Sequence, residues 1–200
     1  NDKEIVVGNI VPYSGPASVY SVYAKVFEGY FNRLNEHGGV NGRKIRMISY
    51  DDAYSPPKTV EQARRLVESD GVLFLFGVVG TPTNIAIQKY MNAKKTPQLF
   101  AGTGSSAMSD PEHFPWSIGF QPNYRAEGRL YASYVLAHKP DAKIGVLYQD
   151  DDFGKDLLQG LADGLGDKAG QMIVAKVSYD TRTPTVDSQI VQIKASGADV

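Results

Sequence analysis

Two short segments of this sequence are the richest in groups that could bind a ligand. In Gly77-Val78-Val79-Gly80-Thr81-Pro82 the proline stands where a helix would start, which puts Gly80 and Thr81 at a helix N-terminus. Backbone N–H groups exposed there, helped by the helix dipole, favour a carboxylate. Thr81 could equally serve as the cap of that helix. In Gly102-Thr103-Gly104-Ser105-Ser106 the glycines allow close backbone approach to a ligand, and Thr103, Ser105 and Ser106 add three hydroxyls. Such stretches are also ordinary turns. They are not a phosphate loop, because the GxxxxGK spacing is absent and no lysine follows.

Other constellations are weaker. Tyr13 and Tyr20 flank the loop after the first apolar run, where a ring with a polar tip suits either a binding wall or simple packing. The acidic run Asp150-Asp151-Asp152 lacks the alternating ligands, central glycine and terminal glutamate of a calcium loop. It is better read as acids at a helix N-terminus, so no metal is expected. His37, His113 and His138 lie far apart and outside any HExxH pattern, which suits surface positions. No GxSxG elbow is present, and the loop after the first strand reads Val11-Pro12-Tyr13-Ser14-Gly15-Pro16 rather than GxGxxG. Neither catalytic residues nor a cofactor are expected.

The elements that must hold these loops are short apolar runs alternating with longer helical patterns, the mark of β-α-β units and an α/β fold with mostly parallel sheets. Strands are expected at 5–11, 45–50, 72–76, 98–101, 144–148 and 172–177, with one more starting near Ala198. Val19, Val22, Tyr23, Val26, Phe27, Tyr30 and Leu34 recur at helical spacing up to the Gly38-Gly39 stop. Pro56-Pro57 opens a second helix with Val60, Ala63 and Val67 inward. Leu130, Tyr131, Tyr134 and Val135 are the expected buried stripe of a later helix, and Leu157, Leu158, Leu161, Ala162 and Leu165 that of the next. In open α/β sheets a ligand crevice lies beyond the carboxyl ends of the strands, which is where the loops above fall.

Between Gly102 and Asn123 the alternation lapses, and a short apolar run from Trp116 to Phe120 stands isolated. It reads as a domain crossing, with a first lobe over 1–118, part of a second over 119–200 and a hinge near Ser117 to Asn123. The second lobe looks incomplete, as though the natural chain were longer.

Across 200 residues, 21 basic and 22 acidic side chains give a formal charge of −1 with no basic block, so nucleic acid is not an expected partner. The absence of cysteine excludes a disulfide framework and thiolate metal sites without fixing a compartment. The opening Asn1-Asp2-Lys3-Glu4 would suit a chain whose signal peptide has been removed and equally a cytosolic one.

Taken in order, Tyr13-Ser14-Gly15-Pro16, a long helix ending in Asn35-Glu36-His37-Gly38-Gly39-Val40-Asn41-Gly42-Arg43, Tyr50-Asp51-Asp52-Ala53, Ser55-Pro56, Gly77-Val78-Val79-Gly80-Thr81 and Tyr148-Gln149-Asp150-Asp151-Asp152-Phe153-Gly154 resemble the branched-chain amino acid receptors among type I periplasmic binding proteins. The similarity covers nearly every residue. It implies two Rossmann-like lobes that close over a small carboxylate-bearing ligand in the cleft between them, an amino acid or an organic acid. It also implies a monomeric, non-catalytic receptor, exported to the periplasm or lipid-anchored, that feeds the membrane permease of an ABC importer. A ligand-sensing domain of a signalling or regulatory protein with the same fold is the alternative.

By family position, Thr81 holds the ligand carboxylate, Gly104 and Ser105 touch its polar head, and Tyr20 lines the cleft. Phe153 stands at the place of an aromatic lid, with Tyr148 beside it; a helix-start core contact is the plainer role for Phe153. Tyr124 departs from the pattern, since amino acid receptors of the family tend to carry an acid there against the ligand ammonium. That departure leaves room for an aromatic or aliphatic acid without an amino group.

Overall fold

The run Glu4–Val11 (β1) is apolar along almost its whole length, and in the computed structural model, which describes residues 1–183 and 185–200, its last five residues are all buried. A strand covered on both faces needs this continuous pattern rather than alternation. β1 pairs in parallel along its full length with Lys44–Asp51 (β2), from Glu4 opposite Lys44 to Val11 opposite Asp51. On its other side stands Leu75–Phe76 (β3), followed by Gln98–Ala101 (β4) and Ser117–Gly119 (β5). The sheet order is β2-β1-β3-β4-β5, and every ladder between these strands is parallel.

Helices Val22–Glu36 (α1), Pro56–Arg64 (α2) and Thr81–Ala93 (α3) connect the strands. α2 starts at its two prolines, which lack the N–H that a first turn leaves unbonded anyway. It runs on through a π-type turn at Arg65–Ser69 that turns Leu66 into the core with Ile10, Ala63, Leu75, Val78, Ile87 and Met91. Leu66 and Leu75 are fully buried, and each burial of this size contributes about 2 kcal/mol. On the opposite face Phe27, Phe31, Phe76, Phe100 and Phe120 form a series of edge-to-face contacts with centroids 4.9 to 6.4 Å apart.

The chain divides into two compact units, one of residues 1–103 and 107–121, the other of 104–106 and 122–200. In the second, Ile144–Gln149 (β6) and Ile173–Tyr179 (β7) pair in parallel, with Tyr124–His138 (α4), Asp152–Leu165 (α5), Ala169–Met172 (α6) and Asp187–Ala195 (α7) around them. Its core joins Ala132, Ala142, Ile144, Leu161, Leu165, Met172 and Ile173.

Four expectations are corrected. The Trp116 to Phe120 run is not isolated, because Ser117–Gly119 forms the edge strand β5, with Gln98 N–H donating to Trp116 O at 2.7 Å and Phe120 N–H to Ala101 O at 3.0 Å. On α4, Leu130, Tyr131 and Tyr134 are 69%, 50% and 67% exposed, while Gly128 and Ala132 face inward. The cause is the closeness of α4 to α5, since a Cβ added at Gly128 would stand 2.4 Å from Leu157 O and one at Gly160 2.3 Å from Arg125 O. On α1, Ala24 and Phe31 are buried whereas Val19, Val22, Val26 and Tyr30 point outward, and 18–21 form a separate 3-10 turn. Residues 198–200 form no strand, although Gly145 N–H donates to Val200 O at 2.8 Å alongside β6.

Candidate functional site

At the carboxyl end of β1 the loop carrying Tyr13 and Ser14 is pinned by Asp51, the last residue of β2. Asp51 accepts from the N–H groups of Tyr13 (2.8 Å), Ser14 (3.2 Å) and Ala53 (2.9 Å) and from the Ser14 hydroxyl (2.5 Å). Partial burial pushes the Asp51 carboxyl up, but these donors outweigh it and hold the group below the ordinary carboxylate range. The Tyr13 hydroxyl donates to Ser49 Oγ (2.7 Å), the Ser49 hydroxyl to Asn9 Oδ1 (2.7 Å), and Asn9 Nδ2 to Phe76 O (2.8 Å). A half-exposed ring is thus tied through three strands to the loop after β3. Tyr20 lies in the 3-10 turn, 47% exposed, with its ring 6.2 Å from that of Tyr23.

The next loop contains Ala53 and Tyr54 in succession with φ of 51° and 60°, in the left-handed region that side chains rarely adopt. Asp52 stabilises this turn by accepting from Tyr54 N–H (2.9 Å) and the Thr59 hydroxyl (2.7 Å), while burial pushes its own carboxyl up. The Tyr54 ring lies against Gly80, where an added Cβ would stand 2.5 Å from Tyr54 Cε2. Gly80 also has φ of 104°, so glycine is required there twice over.

Gly80, not Thr81, occupies the cap position of α3, and no side chain caps that helix. Instead the Thr81 and Thr103 hydroxyls meet at 2.6 Å, both buried. The carbonyls of this loop are turned inward. Asn84 Nδ2 donates to Val78 O (2.7 Å) and Gly80 O (2.6 Å), the Thr83 hydroxyl donates to Val79 O (2.5 Å), and Gln98 Nε2 donates to Asn84 Oδ1 (2.7 Å). The first turn of a helix leaves N–H groups without intrahelical acceptors, so a loop whose carbonyls are held inward is electropositive on its outer side.

In the second unit, Tyr124 N–H donates to Gly104 O at 2.8 Å, and Gly104 packs against the Tyr124 ring and Pro122 O so closely that a Cβ would come within 2.2 Å of that oxygen. Ser106 donates to the buried Asp156 through its N–H (2.7 Å) and its hydroxyl (2.9 Å), and Arg125 Nε reaches Asp156 at 3.0 Å. Tyr124 and Phe153 meet edge to face, centroids 4.9 Å apart, and Tyr148 is half-buried on β6. The acidic run serves the start of α5. Asp151 caps it by accepting from Gly154 N–H (3.2 Å), Asp152 opens its first turn, and Asp150 pairs with Lys155 at 3.0 Å.

The candidates thus fall into two sets. Tyr13, Tyr20, Gly80, Thr81 and Thr103 belong to the first unit, and Gly104, Ser105, Tyr124, Tyr148 and Phe153 to the second. Asp51, Tyr54, Asn84 and Asp156 support these residues without being legible as site residues. Asp156 meets a partner 50 residues away, and nothing in the sequence marks a non-glycine residue for positive φ.

Comparison with known proteins agrees with this fold. The family model described as periplasmic binding protein matches residues 4–200. A Leu/Ile/Val-binding protein homolog of Brucella melitensis is 26% identical over 98% of this chain and 53% of its own length, so the chain spans about half the length of the curated relatives it matches. A substrate-binding periplasmic protein from Ralstonia solanacearum superposes with a TM-score of 0.87 at 29% identity, over 98% of this chain and 55% of the other. A solute binding protein of an ABC transporter from Rhodopseudomonas palustris, solved in complex with 3,4-dihydroxybenzoic acid, shares the fold with a TM-score of 0.79 at 23% identity, over 98% and 53%. Its continuous parallel α/β pattern, its loops at the strand ends and a match over almost its entire length place this chain in the periplasmic binding protein family, among relatives of the Leu/Ile/Val-binding type.

Proposed function

We propose that the chain belongs to an extracytoplasmic, non-catalytic receptor of an ABC importer and binds a small carboxylate-bearing ligand. The observation that carries this reading is the start of α3. There the loop carbonyls are held inward by Asn84 and Thr83, and the paired Thr81 and Thr103 hydroxyls stand beside the first turn. Where Thr103 donates and Thr81 accepts, Thr81 keeps its own proton for a carboxylate oxygen. N–H groups and a hydroxyl at a helix N-terminus suit an anion.

Within the second unit, Tyr124 and Phe153 suit an aromatic acid better than an amino acid. Their edge-to-face pair offers an apolar aromatic surface, and Tyr124 brings no negative charge toward an ammonium group. The 3,4-dihydroxybenzoic acid bound by the Rhodopseudomonas palustris protein is of this chemical class.

Titration calorimetry with 3,4-dihydroxybenzoate, benzoate, L-leucine and its des-amino analogue 4-methylpentanoate tests both levels. Binding of the acids without L-leucine supports an organic-acid receptor. Binding of L-leucine alone would replace it with an amino acid receptor, and binding of none would remove the carboxylate reading.

A further inference from the structure

We infer that Asp156 is a positioning residue which fixes both the place and the hydrogen-bonding sense of the Gly104–Ser106 segment. The inference rests on the proposed binding role of that segment for its functional meaning, though not for its geometry. Asp156 lies on the second turn of α5 and is 6% exposed. Its Oδ2 accepts the Ser106 N–H at 2.7 Å and faces the Ser105 hydroxyl at 3.5 Å, while Oδ1 accepts the Ser106 hydroxyl at 2.9 Å and Arg125 Nε at 3.0 Å.

An ion pair between a buried carboxylate and a half-exposed guanidinium is a poor source of net stability, because desolvation of the acid and solvent screening of the base offset most of the attraction. What it supplies here is geometry. The segment is only three residues long, and the Tyr124 N–H bond to Gly104 O also ties it to this unit. With Asp156 in place, both the backbone and the side chain of Ser106 are fixed.

The carboxylate also decides polarity. An ionised carboxylate only accepts, so a hydroxyl bonded to it must direct its proton there and can offer a ligand nothing but oxygen lone pairs. Ser106, and at longer range Ser105, therefore present acceptors to a ligand. Such a segment selects the end of a ligand that bears O–H or N–H donors and repels a second carboxylate.

The test uses the whole chain with Asp156→Ala and, should that variant fold poorly, the near-isosteric Asp156→Asn. Amide hydrogen exchange without ligand reads the positioning. The Ser106 amide is expected to exchange at least tenfold faster in the variant, with the amides of β6 and β7 unchanged. An unchanged rate at Ser106 would overturn the inference. Calorimetry reads the polarity, using pairs of probes that differ only in donors: 3,4-dihydroxybenzoate against benzoate, and L-leucine against 4-methylpentanoate. In Asp156→Asn the preference for the donor-bearing member is expected to fall at least fivefold. An equal loss for both members, with Ser106 deprotected, would refute the polarity and leave the positioning. If the wild type binds no probe, the proposed function fails, while exchange at Ser106 still decides whether Asp156 holds the segment.

Discussion

The hydroxyls of Thr81 and Thr103 stand 2.6 Å apart, both buried, so residues 22 positions apart satisfy each other where α3 begins and β4 ends. Replacing Thr81 by Val keeps the shape but leaves Thr103 with one hydrogen bond fewer, at a cost of about 1 to 3 kcal/mol in stability. Replacing both should cost less than the sum of the single variants, because the shared hydrogen bond is then lost only once. Urea denaturation of the two single variants and the double variant measures this. All three should also weaken a carboxylate ligand by about tenfold.

Gly80→Ala meets three obstacles at once, a φ of 104°, the Tyr54 ring 2.5 Å from the new Cβ and Thr83 Oγ1 at 2.7 Å. The expected loss is about 2 to 4 kcal/mol, combining backbone strain with overpacking. Tyr54→Ala removes the ring while leaving the φ and the Thr83 contact, so its combination with Gly80→Ala should be less harmful than additivity predicts, again by urea denaturation.

Asp51 and Asp52 are neighbours with opposite pH behaviour. Asp51 titrates below its ordinary 3.8, so it contributes stability above that value which is lost as the pH falls through its folded pKa. Asp52 titrates above 3.8, so its contribution is present below 3.8 and is lost as the pH rises through its folded pKa. Asp52→Asn should flatten the stability profile above pH 3.8, whereas Asp51→Asn should flatten it below that value. Thermal denaturation of both variants across this range separates the two effects.

On α4 the inward face is defined by what does not fit there. Gly160→Ala on α5 drives a Cβ to 2.3 Å from Arg125 O and should cost about 2 kcal/mol or more. Leu130→Ser, on the 69% exposed face, should change stability by no more than about 0.5 kcal/mol. Circular dichroism of thermally unfolding samples checks both.

Apolar runs such as Ile5 to Val11 announce strands because a doubly covered strand has no polar side to confuse the pattern. The face of α4 was not readable in the same way. Hydrophobic periodicity assigns large residues inward, whereas here the space between helices admits only glycine and alanine, and Leu130 and Tyr134 are left outside. β5 was hidden by its length, since three residues show no period. Among the candidate site residues, Thr81 and Thr103 were marked by type and by their place at strand ends. Their supports, Asp51, Asn84 and Asp156, are polar residues of ordinary appearance whose roles depend on contacts that only the folded chain creates.

The chain has a single tryptophan, Trp116, whose carbonyl receives the Gln98 N–H where β5 joins the first sheet. Its fluorescence is therefore a local gauge of that sheet edge. Should the two units unfold separately, emission would follow the first alone, while far-ultraviolet dichroism would register both as successive steps.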